Sequence, residues 1–289
     1  MSERNSQIVW NCANHVFDLA DRTLIMGVLN VTPDSFSDGG QFVSVDRAVD
    51  HALQMGEEGA DIIDIGGEST KPGAEPVPEQ LEMDRTLAVI EALHSQSEIP
   101  ISVDTYKSAV AKRALASGAV IVNDISACRF DINMPSVVAA YNAGLVLMHM
   151  KGEPRSMQID PSYQDVLQEI SDFLSDAINR ALKAGVQLNQ MVIDPGIGFG
   201  KRLKDNFQIL RELRIFERIG RPILVGPSRK SFIGRLLDLP TEERLEGTIA
   251  AVTASILNGV HIVRVHDVKA IKRAATIADA IAGKINVGE

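Results

Sequence analysis

The chain has 289 residues, 45% of them hydrophobic and 23% charged, a balance that suits an enzyme-sized globular protein and excludes collagen-like and low-complexity classes. A net charge of −9 repels phosphate backbones and anionic lipid, and aromatics at 4% leave few rings for stacking bases, so neither nucleic-acid nor membrane binding is expected. No apolar run can span a bilayer, the N-terminus has no basic region followed by an apolar one, and two cysteines, Cys12 and Cys128, cannot make a disulfide framework; a cytoplasmic location is expected.

Residues 1–21 read as an N-terminal extension closing the floor of the main domain, and residues 22–289 as that one domain, with no linker or shift of composition. Within it one unit repeats. A helical segment ends at Gly, and a β-branched run starts shortly after it: Gly59 before residues 61–65, Gly118 before 120–122, Gly144 before 145–147, Gly185 before 191–193 and Gly259 before 260–263. Gly just past a helix end takes the left-handed conformation that closes it. The runs are apolar on both faces, as in a buried parallel sheet. Between them lie amphipathic helices. The clearest starts after Pro161 and sets Val166, Leu167, Ile170, Phe173, Leu174, Ala177, Ile178, Ala181 and Leu182 on one stripe.

Strands are predicted at 24–30, 61–66, 100–104, 120–124, 145–149, 191–195, 222–226 and 261–266. Eight βα units in a chain of this length make an α/β fold, a single-domain (β/α)8 barrel of the TIM type. The alternative, a doubly wound sheet, usually carries a Gly-rich loop after its first strand, where this chain has Asn30-Val31-Thr32-Pro33-Asp34.

A barrel places its active site at the C-terminal strand ends. Here those ends read Asn30, Gly66 to Thr70, Asp104, Asn123-Asp124, His149, Asp194, Ser228-Arg229-Lys230, and Arg264 with His266. Any one of them could simply cap the next helix. Polar groups at all eight ends, with Asp104, Asn123 and Asp194 pointing inward, exceed what capping requires. A carboxylate accepts two parallel N–H donors, so an Asp–Asn–Asp cluster suits a flat heterocycle with an amidine edge, such as a 2-amino-4-oxo ring. A magnesium site is the rival reading. Lys71, Arg229, Lys230, Arg264 and His266 form a second, cationic set expected near the rim, where they suit an anion such as phosphate; surface ion pairs are the rival there. Two long loops, 31–40 and 66–76, are rich in Gly, Pro and Ser and read as lids over the barrel mouth.

These motifs resemble those of the dihydropteroate synthases, the folate-pathway enzymes targeted by sulfonamides. The resemblance rests on residues 30–40, 61–70, Ser102 to Thr105, Asn123-Asp124, Met148 to Met150, Asp194 to Lys201, Ser228 to Ser231 and Arg264 to His266, within about residues 22 to 283. It implies a homodimeric barrel that joins p-aminobenzoate to (7,8-dihydropterin-6-yl)methyl diphosphate and releases diphosphate. It also implies site roles. Asp104, Asn123, Asp194 and Lys230 would hold the pterin, with Phe199 among the substrate contacts. Asn30 would ligate Mg²⁺ carried on the diphosphate. Thr70, Arg264 and His266 would contact the diphosphate, and Phe36, Pro72 and Ser231 would line the aminobenzoate pocket. The family usually has Arg where this chain has Lys71, which keeps the charge and loses the bidentate fork.

On this reading the reaction is an ionising, SN1-like displacement. Lys71, Arg264, His266 and Mg²⁺ would stabilise the departing charge, and of Asp34 and Asp38 in the first loop Asp38 is the preferred group to stabilise the developing cation; Lys230 is counted with Asp38, Arg264 and His266 as catalytic. A pterin-binding methyltransferase domain and a non-catalytic barrel are the competing classes. The first would share the pterin cluster but have no use for two anion-facing lids.

Overall fold

The computed structural model describes residues 8–32, 41–71, 73–285 and 287–288. The chain opens with an antiparallel hairpin, β1 (Val9–Cys12) and β2 (His15–Asp18). Eight parallel strands come next: β3 (Leu24–Asn30), β4 (Ile62–Gly66), β5 (Ile101–Asp104), β6 (Ile121–Asp124), β7 (Gly144–Met148), β8 (Met191–Asp194), β9 (Leu224–Val225) and β10 (Ile262–Val265). Each pairs with its neighbours in the order β8-β7-β6-β5-β4-β3-β10-β9. A parallel bridge between Ile193 and Ile223 joins the two ends, so the sheet closes into the (β/α)8 barrel. All eight predicted strands are present, each within a residue or two of its expected bounds.

Helices fill the intervals: α1 (Gln41–Glu57), α2 (Glu79–Gln96), α3 (Ser108–Ala116), α4 (Met134–Tyr141), α5 (Val166–Lys183), α6 (Leu203–Arg211), α7 (Ser231–Leu237), α8 (Leu245–Leu257) and α9 (Val268–Ile281). The stripe predicted after Pro161 becomes α5, which starts at Val166 because Asp165 caps it, its side chain accepting from the backbone N–H groups of Leu167 and Gln168 at 3.1 Å each. Most of the stripe is buried, but Leu182 is 41% exposed and falls off its edge.

Alternation along the strands divides the apolar residues into two cores. Ile25, Ile63, Ile65, Val103, Val122, Leu145, Leu147, Ile193, Val225 and Val263 face outward and pack under the helices. Leu24, Met26, Ile62, Ile121, Val146, Val192, Leu224 and Ile262 face inward and fill the N-terminal half of the barrel. Trp10, Cys12 and Leu19 of the hairpin segment pack against that inner layer. The indole Nε1 of Trp10 donates to the Gln190 carbonyl at 2.7 Å.

Four of the five junction glycines have the expected positive φ: Gly59, Gly118, Gly185 and Gly259. Gly144 does not. Asn142, at φ 50°, ends α4 in the left-handed conformation, and Gly144 begins β7. Its glycine serves a close approach instead. A Cβ there would lie 2.3 Å from Cys12 Sγ and 3.1 Å from the Trp10 ring.

Candidate active site

Two residues further along each strand, the inward-facing layer changes character. Met26 is followed by Val28, Ile62 by Asp64, Ile121 by Asn123, Val146 by Met148, Val192 by Asp194, Leu224 by Gly226 and Ile262 by Arg264, with Ser102 and Asp104 inward on β5. The same period-2 rule that fills the lower barrel with aliphatic side chains therefore places Asp64, Asp104, Asn123, Asp194 and Arg264 at its upper end, among Val28, Met148 and Gly226. A cavity opens above this layer, lined by Thr70, Asp104, Asn123, Asp194, Lys230 and Arg264, with Ile125, Met148, Ile197 and Phe199 as apolar walls and Gly226 at its edge. Seven of the expected substrate contacts (Thr70, Asp104, Asn123, Asp194, Phe199, Lys230 and Arg264) meet in this cavity.

A buried hub fixes its base. Arg264 donates from Nε to Asp64 Oδ2 at 2.6 Å and from an Nη to Asp104 Oδ2 at 2.7 Å. Asn123 Nδ2 donates to the same Asp64 oxygen at 2.9 Å, which leaves its carbonyl oxygen as an acceptor. Asp64 is fully buried and does not line the cavity. Burial pulls the Arg264 pKa down, but Asp64 and Asp104 pull it up further, so Arg264 stays charged. Asp104 is pushed up to about 7, by burial first and by Asp64 in addition, against the pull of Arg264.

The far wall carries Asp194 and Lys230. Burial pushes Asp194 up to about 6, against the Gly196 backbone N–H, which donates to Oδ1 at 2.6 Å, and the nearby lysines. Lys230 lies over the Phe199 ring, Nζ 4.0 Å from its centroid, and is pushed down to about 8 by burial and by Arg264. The tight turn after Asp194 needs glycine at 196. Its φ is 72°, and a Cβ would sit 1.9 Å from the His149 carbonyl oxygen. Lys201 anchors the loop from within, donating to the Phe199 carbonyl at 3.0 Å and standing 3.0 Å from His149 Nδ1. Burial depresses both partners, Lys201 to about 7.

The cationic set does not form one rim. Arg264 lies at the base of the cavity. Arg229, at φ 55°, turns away and makes a bidentate pair with Asp267 at 2.9 and 2.6 Å, so it is a structural ion pair and not an anion ligand. His266 stands with Nδ1 3.0 Å from Ser228 Oγ. Burial and the neighbouring Arg264 and Arg229 push it down to about 4, so it is a neutral hydrogen-bonding ring at pH 7. Lys71 is exposed on the loop after β4, and Ser231 is exposed at the start of α7. Asn30 ends β3 on the inner face, in register with Gly66. Asp38, Phe36 and Pro72 lie outside the described residues.

Two strand-end residues point outward. Asp124 accepts from Ser126 N and Oγ at 2.7 Å each and from Cys128 N at 3.0 Å, and so braces its loop. His149, next to the inward Met148, packs edge-on to Phe173 with centroids 4.8 Å apart. Asp64 is the functional residue that reading the strand ends misses, because it lies two positions before the end of its run. A charge inside an apolar run, in register with an inward residue, is the signal that marks it.

The profile of the pterin binding enzyme family matches residues 26–266. The dihydropteroate synthase of Bacillus subtilis (strain 168) is 50% identical over 264 residues, 91% of this chain and 90% of that one. The crystal structure of Yersinia pestis dihydropteroate synthase with a sulfonamide drug complex superposes with a TM-score of 0.90 at 41% identity, covering 96% of this chain and 100% of that one. That of Xanthomonas albilineans dihydropteroate synthase with 4-aminobenzoic acid gives 0.89 at 43% identity, covering 96% and 98%.

Proposed function

This chain belongs to the pterin-binding enzyme family, among the dihydropteroate synthases, and we propose that it condenses (7,8-dihydropterin-6-yl)methyl diphosphate with p-aminobenzoate to give 7,8-dihydropteroate and diphosphate. The observation that carries this reading is the convergence of Asp104, Asn123, Asp194, Lys230 and Arg264 on one cavity walled by Phe199 and Met148. Apolar walls of this kind suit a flat ring. Asp194 accepts the two parallel N–H donors of the amidine edge, the Asn123 carbonyl oxygen takes a further donor, and the Lys230 ammonium serves the ring's acceptors.

The reacting bond joins the pterin's CH₂ to a diphosphate oxygen. In our reading it breaks first, both electrons leaving with the diphosphate. The cation left on CH₂ is delocalised into the electron-rich reduced ring, and Asp38 stabilises it. The amine of p-aminobenzoate then donates its lone pair to the carbon, and the resulting ammonium gives its proton to water. Arg264, held charged by Asp64 and Asp104, offers a preorganised positive field at the base of the site. Thr70, Lys71 and His266 meet the diphosphate, the last as a neutral donor, and Phe36, Pro72 and Ser231 surround the aminobenzoate ring.

Asn30 offers an amide oxygen at an inward strand end, a hard donor of the kind magnesium accepts. Among the described residues no group of three or more His, Cys, Asp or Glu could hold a metal ion. A Mg²⁺ with Asn30 as its protein ligand and substrate oxygens as the others fits that donor set. When bound, the ion neutralises the charge of the leaving diphosphate. We also assign the protein to the cytoplasm and to homodimers. In support, no helix among the described residues is long and apolar enough to cross a membrane, and Leu236 and Leu237 of α7 are 61% and 48% exposed.

The test is formation of 7,8-dihydropteroate from the two substrates with Mg²⁺, followed by chromatography and by diphosphate release. Product that depends on p-aminobenzoate supports the reading; diphosphate release with no condensed product overturns it.

A further inference from the structure

A second polar network lies beside the cavity and takes no part in the chemistry above. Glu68 opens the loop between β4 and α2, two residues before Thr70. Its carboxylate accepts three donors: Lys107 Nζ at 2.5 Å and Val77 N at 2.8 Å on Oε2, and the Tyr106 hydroxyl at 2.7 Å on Oε1. Val77 closes the same loop. Lys107 uses all three of its N–H donors, on Glu68, on the Val77 carbonyl at 2.7 Å and on Glu82 of α2. The group is sequestered, with side chains 12%, 7% and 1% exposed for Lys107, Glu68 and Glu82. Arg85 adds a bond to the Gly67 carbonyl at 2.7 Å.

The geometry joins the two ends of one loop to each other and to the segment that carries Asp104, three residues before Lys107. Two carboxylates share one ammonium. Burial accordingly raises Glu82, and burial with Glu68 raises the Tyr106 phenol. Keeping three charged side chains out of water is costly unless the arrangement is well satisfied, and the nearby loop is what it arranges. Between the clamped ends, the loop's further described contacts across the barrel mouth are a backbone bond, Gly73 N to the Pro154 carbonyl at 3.1 Å, and an exposed ion pair, Glu75 with Arg155 at 3.5 Å.

We propose that Glu68 and Lys107 are positioning residues, which clamp both ends of the β4–α2 loop so that Thr70 is held at the cavity and Lys71 beside it, for the anionic part of the substrate. The proposal rests on the reading that this loop serves the diphosphate. It separates two affinities. The pterin ring is held by strand ends that stand without the clamp, whereas the diphosphate needs the loop.

The test uses Glu68→Gln, which leaves Lys107 and Glu82 as a balanced pair, and Tyr106→Phe, which removes a single bond to Glu68. For each variant the KM for dihydropterin diphosphate, kcat, and the Kd of a pterin lacking the diphosphate are measured. The expected result for Glu68→Gln is a KM higher by about tenfold, the worth of one charge-assisted hydrogen bond, with the pterin Kd within about twofold of the parent. Tyr106→Phe should move KM the same way by less, and it is read by the same criteria if Glu68→Gln does not fold. An unchanged KM in both variants, or a pterin Kd that rises as much as KM, overturns the proposal. Failure of the parent enzyme itself to bind the pterin would instead overturn the assignment of the cavity.

Discussion

Asp64 and Arg264, 200 positions apart in the chain, meet inside the barrel with Arg264 Nε 2.6 Å from Asp64 Oδ2. The contact results from closure of the sheet, since β10 pairs with β3 and β3 with β4. Through it one carboxylate out of reach of the cavity orients two groups that line it, Arg264 and Asn123.

Asp64→Ala should therefore be among the most damaging single changes. It leaves the Arg264 Nε and Asn123 Nδ2 donors without their acceptor in a buried layer. Breaking a buried ion pair from one side costs about 3–5 kcal/mol. Urea denaturation should show a loss of that order, with a smaller loss for Asp64→Asn, which keeps an acceptor and loses the charge. Equal midpoints for parent and Asp64→Ala would show that Asp104 alone suffices for Arg264.

The affinity for a pterin lacking the diphosphate should depend on pH through Asp194. Burial pushes this carboxyl up to about 6, and only its ionised form accepts two N–H donors. Affinity should be highest between about pH 7 and 8, fall as pH drops through 6, by up to about tenfold per unit with a proton released on binding, and weaken again as Lys230 loses its proton above about 8. In the ligand-free protein the sign is opposite. A carboxyl whose folded pKa is raised favours folding most below its unfolded value near 4, and that contribution is lost as pH rises toward 6. Calorimetry at pH 5 and 7.5 in two buffers of different ionisation enthalpy reads both the affinity and the proton. A Kd independent of pH would remove Asp194 from the binding edge.

Arg229→Ala should lower stability by about 1 kcal/mol, as expected for a partly exposed bidentate pair, and leave the KM for dihydropterin diphosphate within about twofold. Thermal melts and steady-state kinetics on the same preparation check it. A large rise in KM at unchanged stability would return Arg229 to the anion site.

Much of this site is legible along the chain, for a physical reason. Parallel strands buried on both faces read as short β-branched runs, so each run's end is visible, and a barrel gathers those ends at one mouth. Asp104, Asn123 and Asp194 are found that way. What is not legible depends on partners chosen in three dimensions. Arg229 and Lys230 are adjacent in sequence, and a left-handed backbone at Arg229 sends the first to Asp267 while the second faces the cavity. Arg264 reads as a rim cation until Asp64 is seen beneath it. The charge of His266 is likewise hidden, because it depends on burial and on two arginines that the fold brings near.

The most direct test of the whole account is a calorimetric titration of parent and Asp194→Asn with a pterin that lacks the diphosphate, at pH 7.5. An amide cannot accept two parallel donors, and removing a buried charged partner costs about 2–5 kcal/mol, so the parent should bind and the variant should lose most of that affinity while melting at a similar temperature. Equal binding by the two proteins would mean that the cavity between Asp194 and Arg264 does not hold the pterin, and the proposed chemistry would lose its site.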